Sequence, residues 1–225
     1  MDEPQGRHEL KHYINYADVM ELRARLPFVA KPDRNCKEGN GYRVRSLYFD
    51  NYNDKALMEK VNGADCREKF RLRLYNSDTS FIRLEKKSKR NGLCYKESAV
   101  ITEEECRWLI GGDFAVLKEK GDPLCMELYA KMHYQQLRPK NVVDYMREAY
   151  VYLPGNVRVT IDYDIRTSMN IHGFLKVDPV LIPVSDVHIL EVKYDSFLPE
   201  IIRGIVSLSS RRSNSFSKYA AARIV

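Results

Sequence analysis

The chain has 225 residues, of which 44% are hydrophobic, and this is enough to bury a sizeable core in a single domain spanning residues 1–225. Its formal net charge of +6 favours an anionic partner, whether nucleotide, polyphosphate, nucleic acid or lipid headgroup. No apolar run reaches the roughly 20 residues of a membrane-spanning helix, and the first residues lack the basic and apolar regions of a signal peptide. We therefore expect a cytoplasmic protein without a transmembrane segment of its own.

The cysteines are odd in number and widely scattered. They are Cys36, Cys66, Cys94, Cys106 and Cys125, and no C-x-x-C pair occurs among them. This pattern indicates reduced thiols, and it argues against a disulfide framework or a cysteine-based zinc site.

Charged and apolar residues alternate in the first predicted strand, from Arg7 to Ile14. Arg7, Glu9 and Lys11 lie on one side, and Leu10 and Ile14 are among the side chains of the other. A period of two is the mark of a strand that buries only one face in an apolar core. The carboxylate of Glu9 and the ammonium of Lys11 therefore project in the same direction.

An amphipathic helix follows, capped by Asn15 or Asp18 and ended by Pro27. A strand at residues 42–50 and a short helix at residues 54–60 come next. They lead into a hairpin that carries the strongest signal in the chain.

This hairpin runs from Arg67 to Lys87, with a turn at residues 76–80. One of its faces is apolar, and the other carries a charge at nearly every position. The charged side chains are Arg67, Lys69, Arg71, Arg73, Arg83, Glu85 and Lys87. Such crowded cations repel one another unless an anion lies among them. The hairpin therefore predicts an anion-binding surface.

The rest of the chain continues in strands and helices. The turn Asn91-Gly92 predicts that residues 93–101 return antiparallel beside the hairpin. Thr102 has the form of a capping-box residue, Asp122 caps a longer helix, and Pro199 opens another. Further strands are predicted at 142–152, 157–164 and 187–194, and a last helix is predicted around 216–222.

Two of these later strands also carry charge on one face. Arg158, Asp162 and Asp164 alternate strictly with apolar residues, and Glu191 and Lys193 lie on the same side of the final strand. The count of about eight strands, mostly joined as hairpins, predicts an α+β fold: an eight-stranded antiparallel β-barrel with helices packed on its outside.

The direction of the charged faces decides what such a barrel can do. If they point outward, the barrel has a small apolar core. If they point inward, it encloses a tunnel lined by Arg, Lys and Glu, and its apolar outer surface is covered by the amphipathic helices. We favour the inward arrangement because it gives those helices a surface to pack against.

A tunnel lined in this way suits a triphosphate, which carries about four negative charges. One guanidinium group donates hydrogen bonds to two phosphate oxygens at once, whereas the Lys ammonium acts as a point charge. Carboxylates in the same tunnel repel the anion unless a divalent cation bridges them, so their presence implies Mg²⁺ or Mn²⁺.

Six short motifs carry a family resemblance over nearly the whole chain. They are Arg-x-Glu-x-Lys from Arg7, Arg-Ser-Leu-Tyr-Phe-Asp-Asn from Arg45, Lys-x-Arg-x-Arg-x-Tyr from Lys69, Leu-Glu-x-Lys from Leu84, Ile-Leu-Glu-Val-Lys from Ile189 and Phe-Ser-Lys-Tyr from Phe216. In this order they resemble the VTC domain, the polyphosphate polymerase domain of the vacuolar transporter chaperone complex. That domain belongs to the triphosphate tunnel metalloenzymes, which are related to CYTH domains.

The resemblance implies ATP-dependent synthesis of inorganic polyphosphate, with ATP and polyphosphate as partners, no nucleic acid, and a divalent metal that is usually Mn²⁺. The implied phosphate-binding residues are Lys11, Lys69, Arg71, Arg73, Lys87, Arg147, Arg158, Lys193 and Lys218. The implied catalytic residues are Arg71, Arg73, Lys87, Arg158 and Glu191. The implied metal ligands are Glu191, Glu9 and Glu85.

The chain departs from the family pattern at one position. The family often has a basic residue three positions before the last lysine of the tunnel, where this chain has Ser215, so the nucleotide or product end of the tunnel is expected to differ. The membrane segment and SPX domain of some eukaryotic members are also absent from the sequence. The export route of a product is thus left open, and a membrane-protein partner is one interpretation.

Three other functions fit parts of the pattern. A triphosphate or nucleoside triphosphate hydrolase needs the same basic lining and metal, so the sequence does not separate it from a polymerase. A non-catalytic module that binds polyphosphate or inositol phosphate has no use for carboxylates in its cavity. A nucleic-acid-binding protein needs basic and aromatic residues on an open face.

Overall fold

The computed structural model describes residues 6–36, 41–208 and 216–224. The strands are β1 His8–Ile14, β2 Lys31–Pro32, β3 Tyr42–Asp50, β4 Arg67–Tyr75, β5 Asp78–Arg90, β6 Leu93–Ile101, β7 Arg138–Tyr152, β8 Val157–Ser168, β9 Ile182–Ser185 and β10 His188–Tyr194. The helices are α1 Tyr16–Arg25, α2 Lys55–Val61, α3 Glu103–Gly111, α4 Ala115–Glu119, α5 Pro123–Tyr134, α6 Glu200–Val206 and α7 Lys218–Ile224.

Eight of these strands form one curled antiparallel sheet, in the order β1-β10-β8-β7-β3-β4-β5-β6. The short strands β2 and β9 extend it by pairing with β7 and β8. Its two edges meet where the amide of Arg7 donates to the carbonyl of Cys94 at 2.9 Å and receives the reciprocal bond at 3.0 Å. The predicted α+β fold on eight antiparallel strands is thereby confirmed.

The predicted turn and capping signals have the expected geometry. Asn91 and Gly92 both have positive φ, at 49° and 79°, as a tight two-residue hairpin turn requires. Thr102 and Glu105 form a complete capping box at the start of α3. The side chain of Asp122 accepts two backbone N–H bonds at the start of α5. These local signals therefore fix where β5 ends and where α3 and α5 begin.

Two details differ from the sequence prediction. The turn before β5 is shorter than predicted, because Asn76 and Ser77 adopt left-handed φ values of 50° and 58° and the strand resumes at Asp78. The strand β8 continues to Ser168, with a bulge at Asp164, whose φ is 50°. A bulged residue leaves the ladder, so Asp164 does not continue the alternation that was predicted for it.

Most helices cover the outer face of the sheet, as predicted. One apolar layer joins the strands to α3, α4 and α5 and includes Leu72, Leu84 and Leu128. A second layer lies under α1 and α6 and includes Leu22 and Ile202. Burial of these side chains stabilises the curl of the sheet through the hydrophobic effect.

The C-terminal helix α7 is the exception to this prediction. Its Tyr219 packs in a third cluster with Tyr48 and Tyr145, which lie on the inner face of the sheet. The Tyr219 hydroxyl donates to the buried carboxylate of Asp50 at 2.6 Å, and Asp50 also accepts from backbone N–H groups at the start of α2. Helices α2 and α7 are therefore held together at one end of the curled sheet.

A buried ion pair joins β3 and β7 on the outer face. Arg45 Nε lies 2.9 Å from Asp144 Oδ2, and both side chains are 1% exposed. Arg45 also donates to the carbonyls of Phe174 and Lys176. Arg43 approaches the same carboxylate at 3.3 Å from a half-exposed position. Arg45 thus anchors the segment after β8 to the sheet.

We expect Arg45→Met to lower the free energy of unfolding by about 3 kcal/mol or more, because it leaves a buried carboxylate without its main partner. Urea denaturation measures this loss. Arg43→Met is the matched control and should cost no more than about 1 kcal/mol, since its charge is partly solvated. Equal losses for the two variants would contradict the role given to Arg45.

Candidate functional site

The inner face of the curled sheet surrounds a basic cavity of about 290 Å³. Eleven of the described residues that line it are Lys or Arg, and two, Glu9 and Glu191, are carboxylates. All nine residues predicted to bind phosphate line this cavity: Lys11, Lys69, Arg71, Arg73, Lys87, Arg147, Arg158, Lys193 and Lys218. The charged faces of the strands therefore point inward, as the tunnel interpretation predicts.

Arg71 is held in place from two sides. Its Nε and Nη2 lie 2.8 and 2.7 Å from one carboxylate oxygen of Glu85, and its Nη1 donates to the hydroxyl of Tyr48 at 3.0 Å. Lys96 reaches the other oxygen of Glu85 at 2.6 Å. Glu85 is 1% exposed, and although burial alone raises its pKa, Arg73, Arg71 and Lys96 hold that pKa well below the ordinary value. Glu85 therefore remains an anion that orients cations.

Arg73 is oriented mainly by hydroxyl groups. Its Nε donates to Ser46 Oγ at 3.2 Å, and its Nη2 donates to the hydroxyl of Tyr145 at 3.1 Å. Its Nη1 lies 3.6 Å from Glu85. Neutral partners fix the plane of the guanidinium without cancelling its charge. Arg73 shares the single carboxylate of Glu85 with Arg71 and Lys96, so its positive charge is only partly compensated and is suited to a phosphate group.

A second group of charges lies where β1 and β10 pair. Lys11 bridges Glu9 at 2.7 Å and Glu191 at 3.3 Å, and Lys193 lies 2.7 Å from Glu191. Lys87 also pairs with Glu9. Burial raises the pKa of both carboxyls, but the surrounding lysines outweigh it and hold each pKa well below the ordinary value. Both glutamates are therefore ionised at neutral pH.

Arg147 forms the third group, at the end covered by α7. Its Nε and Nη2 bind the two oxygens of Asp162 at 2.6 and 2.8 Å, and Lys218 of α7 reaches the same carboxylate. Sequence analysis did not assign Asp162 to the site, although its alternation with apolar residues on β8 was a usable signal. Arg158 is bound to other groups, namely Tyr42 at 2.9 Å and Asp33 at 3.0 Å.

The three predicted metal ligands do not lie together. Glu85 belongs to the arginine group, whereas Glu9 and Glu191 lie in the lysine group, and no cluster of three His, Cys, Asp or Glu side chains suited to a metal occurs in the described ranges. Glu9 and Glu191 are nevertheless held close together, because Lys11 contacts both carboxylates. Mg²⁺ typically binds through one or two carboxylates together with substrate phosphates. The pair Glu9 and Glu191 therefore fits a divalent cation.

Several site residues escaped sequence analysis. Tyr48 accepts a hydrogen bond from Arg71, and Ser46 and Tyr145 accept hydrogen bonds from Arg73. Tyr48 and Ser46 share one face of β3. The available signal was that Ser46 and Tyr48 alternate with other residues along β3. Residues with a hydroxyl group on a strand are, however, more often part of the packing than of a site. Ser215, where the family pattern is broken, lies outside the described residues.

A second cavity, of about 350 Å³, shares part of its wall with the first. The shared residues are Glu9, Lys11, Lys69, Lys87, Cys94 and Ser217. Lys60, Arg67 and Lys89 line the second cavity but not the first. The basic lining thus continues past the lysine group toward α2.

The family comparison matches the VTC domain over residues 6–225. The chain belongs to the VTC domain family. No curated protein matches the sequence. Among solved structures, this VTC domain is similar to a protein of Pyrococcus horikoshii OT3, with a TM-score of 0.52, 13% identity, and 94% of this chain and 96% of that chain covered. It is also similar to a candidate adenylate cyclase of Bacillus halodurans, with a TM-score of 0.48, 11% identity, and 89% and 87% covered.

These comparisons confirm the predicted family and the triphosphate tunnel fold. At such low sequence identity, the similarity to these solved structures shows a shared fold and nothing more. Within the described ranges, none of the helices of this VTC domain has the length and apolar character needed to cross a bilayer.

The buried Tyr48 and the partly buried Lys69, both in the tunnel of this VTC domain, titrate near neutral pH. Burial lowers the pKa of Lys69 to about 7, and repulsion from Lys87 and Lys11 adds to this despite the nearby Tyr48. Burial raises the pKa of Tyr48, but Arg71, Lys69 and other cations outweigh it and lower that pKa to about 7. The Lys69 ammonium lies 5.5 Å from the centre of the Tyr48 ring.

We expect tripolyphosphate binding at pH 8 to make Lys69 and Tyr48 take up protons. A bound polyanion stabilises the ammonium and destabilises the phenolate, so it raises both pKa values. The affinity should therefore fall as pH rises from 7 to 9. Calorimetry in buffers of different ionisation enthalpy measures this uptake.

The phosphates of the ligand also exchange protons when they bind. The number of protons taken up by Lys69 is therefore obtained as the difference in uptake between wild type and Lys69→Met. The exposed Lys118, on α4, provides the matched control variant Lys118→Met. Lys69→Met should reduce the uptake, whereas Lys118→Met should leave it unchanged. Identical uptake in all three proteins would show that Lys69 stays protonated in the free tunnel.

Proposed function

We propose that this protein synthesises inorganic polyphosphate by transferring the γ-phosphate of ATP to the end of a growing chain inside the tunnel. Family membership and the tunnel fold support nucleotide or polyphosphate chemistry and an enzyme of the tunnel family. The observation that carries the finer proposal is the pair of joined basic cavities, because a polymerase must hold two polyanions at once, the nucleotide and the chain that it extends.

The arginine group is suited to binding the triphosphate of ATP. Arg71 and Arg73 come from adjacent inward positions on β4, and Glu85 and the hydroxyls of Tyr48 and Tyr145 fix their orientation. A guanidinium that is already oriented donates hydrogen bonds to two phosphate oxygens at once. No free energy is then needed to reorient it during the reaction. In this proposal, they align the γ-phosphate and stabilise the charge that spreads over its oxygens.

The reaction itself exchanges one phosphorus–oxygen bond for another. A terminal oxygen of the polyphosphate chain attacks the γ-phosphorus, the bond from that phosphorus to the β,γ-bridging oxygen breaks, and ADP leaves. Phosphoryl transfer depends mainly on in-line positioning and charge stabilisation. The lysines of the second group, Lys11, Lys87 and Lys193, neutralise the attacking chain end and bring it close to the nucleotide.

A divalent cation belongs in the same place. Glu191 and Glu9, whose carboxylates both contact Lys11, would hold Mn²⁺ or Mg²⁺. When bound, such an ion would supply positive charge that stabilises the phosphoryl group and the leaving group. Lys11 and Lys193 keep both carboxylates ionised, and therefore able to bind a cation.

The test of the activity is incubation of the pure protein with ATP and Mn²⁺, followed by gel electrophoresis with staining for polyphosphate. A ladder of products is expected. Release of inorganic phosphate alone would mean that the tunnel admits water as the acceptor and that the enzyme is a hydrolase. Tight binding of ATP without turnover would mean a non-catalytic receptor.

We expect Glu191→Gln to reduce turnover by ~10²-fold or more, because the substitution keeps shape but removes charge at the proposed metal site. It should also weaken Mn²⁺ binding, which electron paramagnetic resonance of the free ion measures directly. ATP binding without metal should change little.

Glu85→Gln is the matched control, since it also removes one buried inward carboxylate. It should weaken ATP binding through Arg71 and Arg73 and leave Mn²⁺ binding unchanged. Equal Mn²⁺ affinities in wild type and Glu191→Gln would remove Glu191 from the metal site. A loss of Mn²⁺ binding in Glu85→Gln would restore Glu85 to it.

A further inference from the structure

The second cavity carries cations that the proposed reaction does not use. Lys60 comes from α2, Arg67 begins β4, and Lys89 lies near the end of β5, opposite Arg67 in the strand pairing. Together they form a basic patch, which we name the exit track. It lies on the far side of Lys69 and Lys87 from the arginine group, because those two lysines line both cavities.

The exit track differs from the inner tunnel in how its charges are balanced. Within the tunnel, carboxylates of the chain partly neutralise the cations, as Asp162 does for Arg147 and Glu9 does for Lys87. Among the described residues, Lys60, Arg67 and Lys89 form no ion pair with a carboxylate. Of the carboxylates, Glu9 attracts Lys60 without pairing with it, so their mutual repulsion is only partly relieved and favours an external anion.

The titration of Lys60 reflects this imbalance. Partial burial and the charges of Arg67, Lys11 and Lys89 outweigh the attraction of Glu9 and lower its pKa to about 8. A lysine that is held among cations gains the most from a bound phosphate, which restores its ordinary charged state.

The track leads onward to the protein surface. A shallow groove shares Arg67 and Lys89 with the second cavity and adds Lys55 and Arg90. Its two carboxylates are already engaged, since Glu59 pairs with Lys55 and Glu68 pairs with Lys131. A positively charged path therefore extends from the arginine group, through the tunnel, to the outside.

We propose that the exit track is a binding site for inorganic polyphosphate and that it holds the chain where it leaves the tunnel. This inference rests on the proposed function, because it assumes that the product occupies the tunnel. A chain with more phosphates than the tunnel can hold reaches Lys60, Arg67 and Lys89, whereas ATP or tripolyphosphate bound at the arginine group does not. The shallow groove has no aromatic residue in its lining, and of the aromatic residues that line the second cavity, Tyr219 is buried and bonded to Asp50 while Phe216 packs on Tyr13. The path therefore offers little of the stacking surface that single-stranded nucleic acid requires.

The experiment compares the affinity for tripolyphosphate with that for a polyphosphate of about 25 units, without ATP or catalysis. The test variant is the triple substitution Lys60→Met, Arg67→Gln and Lys89→Met. The control removes three exposed cations that line none of these cavities, through Lys118→Met, Lys176→Met and Arg203→Gln. Both variants lose the same net charge, so long-range attraction is matched. Circular dichroism and thermal melting verify that both remain folded.

We expect the track variant to bind the long chain at least 10-fold more weakly and with a smaller dependence on salt, because fewer cations meet the polyanion. Its affinity for tripolyphosphate should stay within about twofold of wild type, and the control should retain both affinities. Equal loss of the two ligands, or equal loss in the control, would overturn the exit track. Binding of an oligonucleotide of the same charge as tightly as polyphosphate would overturn it in favour of a nucleic-acid site.

These measurements stand apart from the test of synthesis. If the protein makes no polyphosphate but wild type prefers the long chain through these three cations, the proposed function fails and the binding site remains. If it makes polyphosphate and the variant binds long chains normally, the function remains and the track fails.

Discussion

Repulsion among like charges is the constraint on which the whole tunnel depends. Lining one cavity with many ammonium and guanidinium groups costs free energy that the apolar layers outside the sheet must offset. The internal carboxylates Glu9, Glu85, Asp162 and Glu191 reduce that cost by pairing with specific cations. The sheet can therefore fold around a basic cavity before any anion binds.

The internal carboxylates neutralise some cations of the tunnel more fully than others. This difference determines which cations are available to bind a ligand. Arg73 is oriented largely by hydroxyls, so its charge stays available. Lys69 and Tyr48 reduce the remaining repulsion by shifting their pKa values toward neutral pH. A site with excess positive charge binds a polyanion strongly, because binding relieves the repulsion among cations that remains in the folded free protein. The same cations therefore lower the stability of the free protein and raise its affinity for an anionic ligand.

Helices α7 and α2 lie where the two cavities join. Helix α7 delivers Lys218 to Asp162 in the first cavity, and its Tyr219 lines the second cavity. Helix α2 contributes Lys60 to the second cavity, and the carboxylate of Asp50 binds both helices. In the proposed reaction, these two helices would therefore flank a chain that passes from the arginine group toward the exit track.

Much of this protein follows from its sequence by itself. Alternation with a period of two identified the inward face of β1, β4, β5 and β10, because side chains on a strand point to opposite sides in turn. Local signals located the turn at Asn91-Gly92 and the capping box at Thr102, since each depends on only a few neighbouring residues. The motifs then identified the VTC domain family, and all nine predicted phosphate-binding side chains line one cavity.

Only the tertiary structure decided which charges meet. Glu85 and Glu191 sit on inward faces with similar neighbours in sequence, but strand order brings Glu85 to Arg71 and Arg73 and brings Glu191 to Lys11 and Lys193. Likewise, the pattern of α7 did not reveal that it packs inside the curl. Pairing between strands far apart in the chain depends on the path of the whole sheet. A periodic pattern therefore gives the direction of a side chain but not the partner that it finds there.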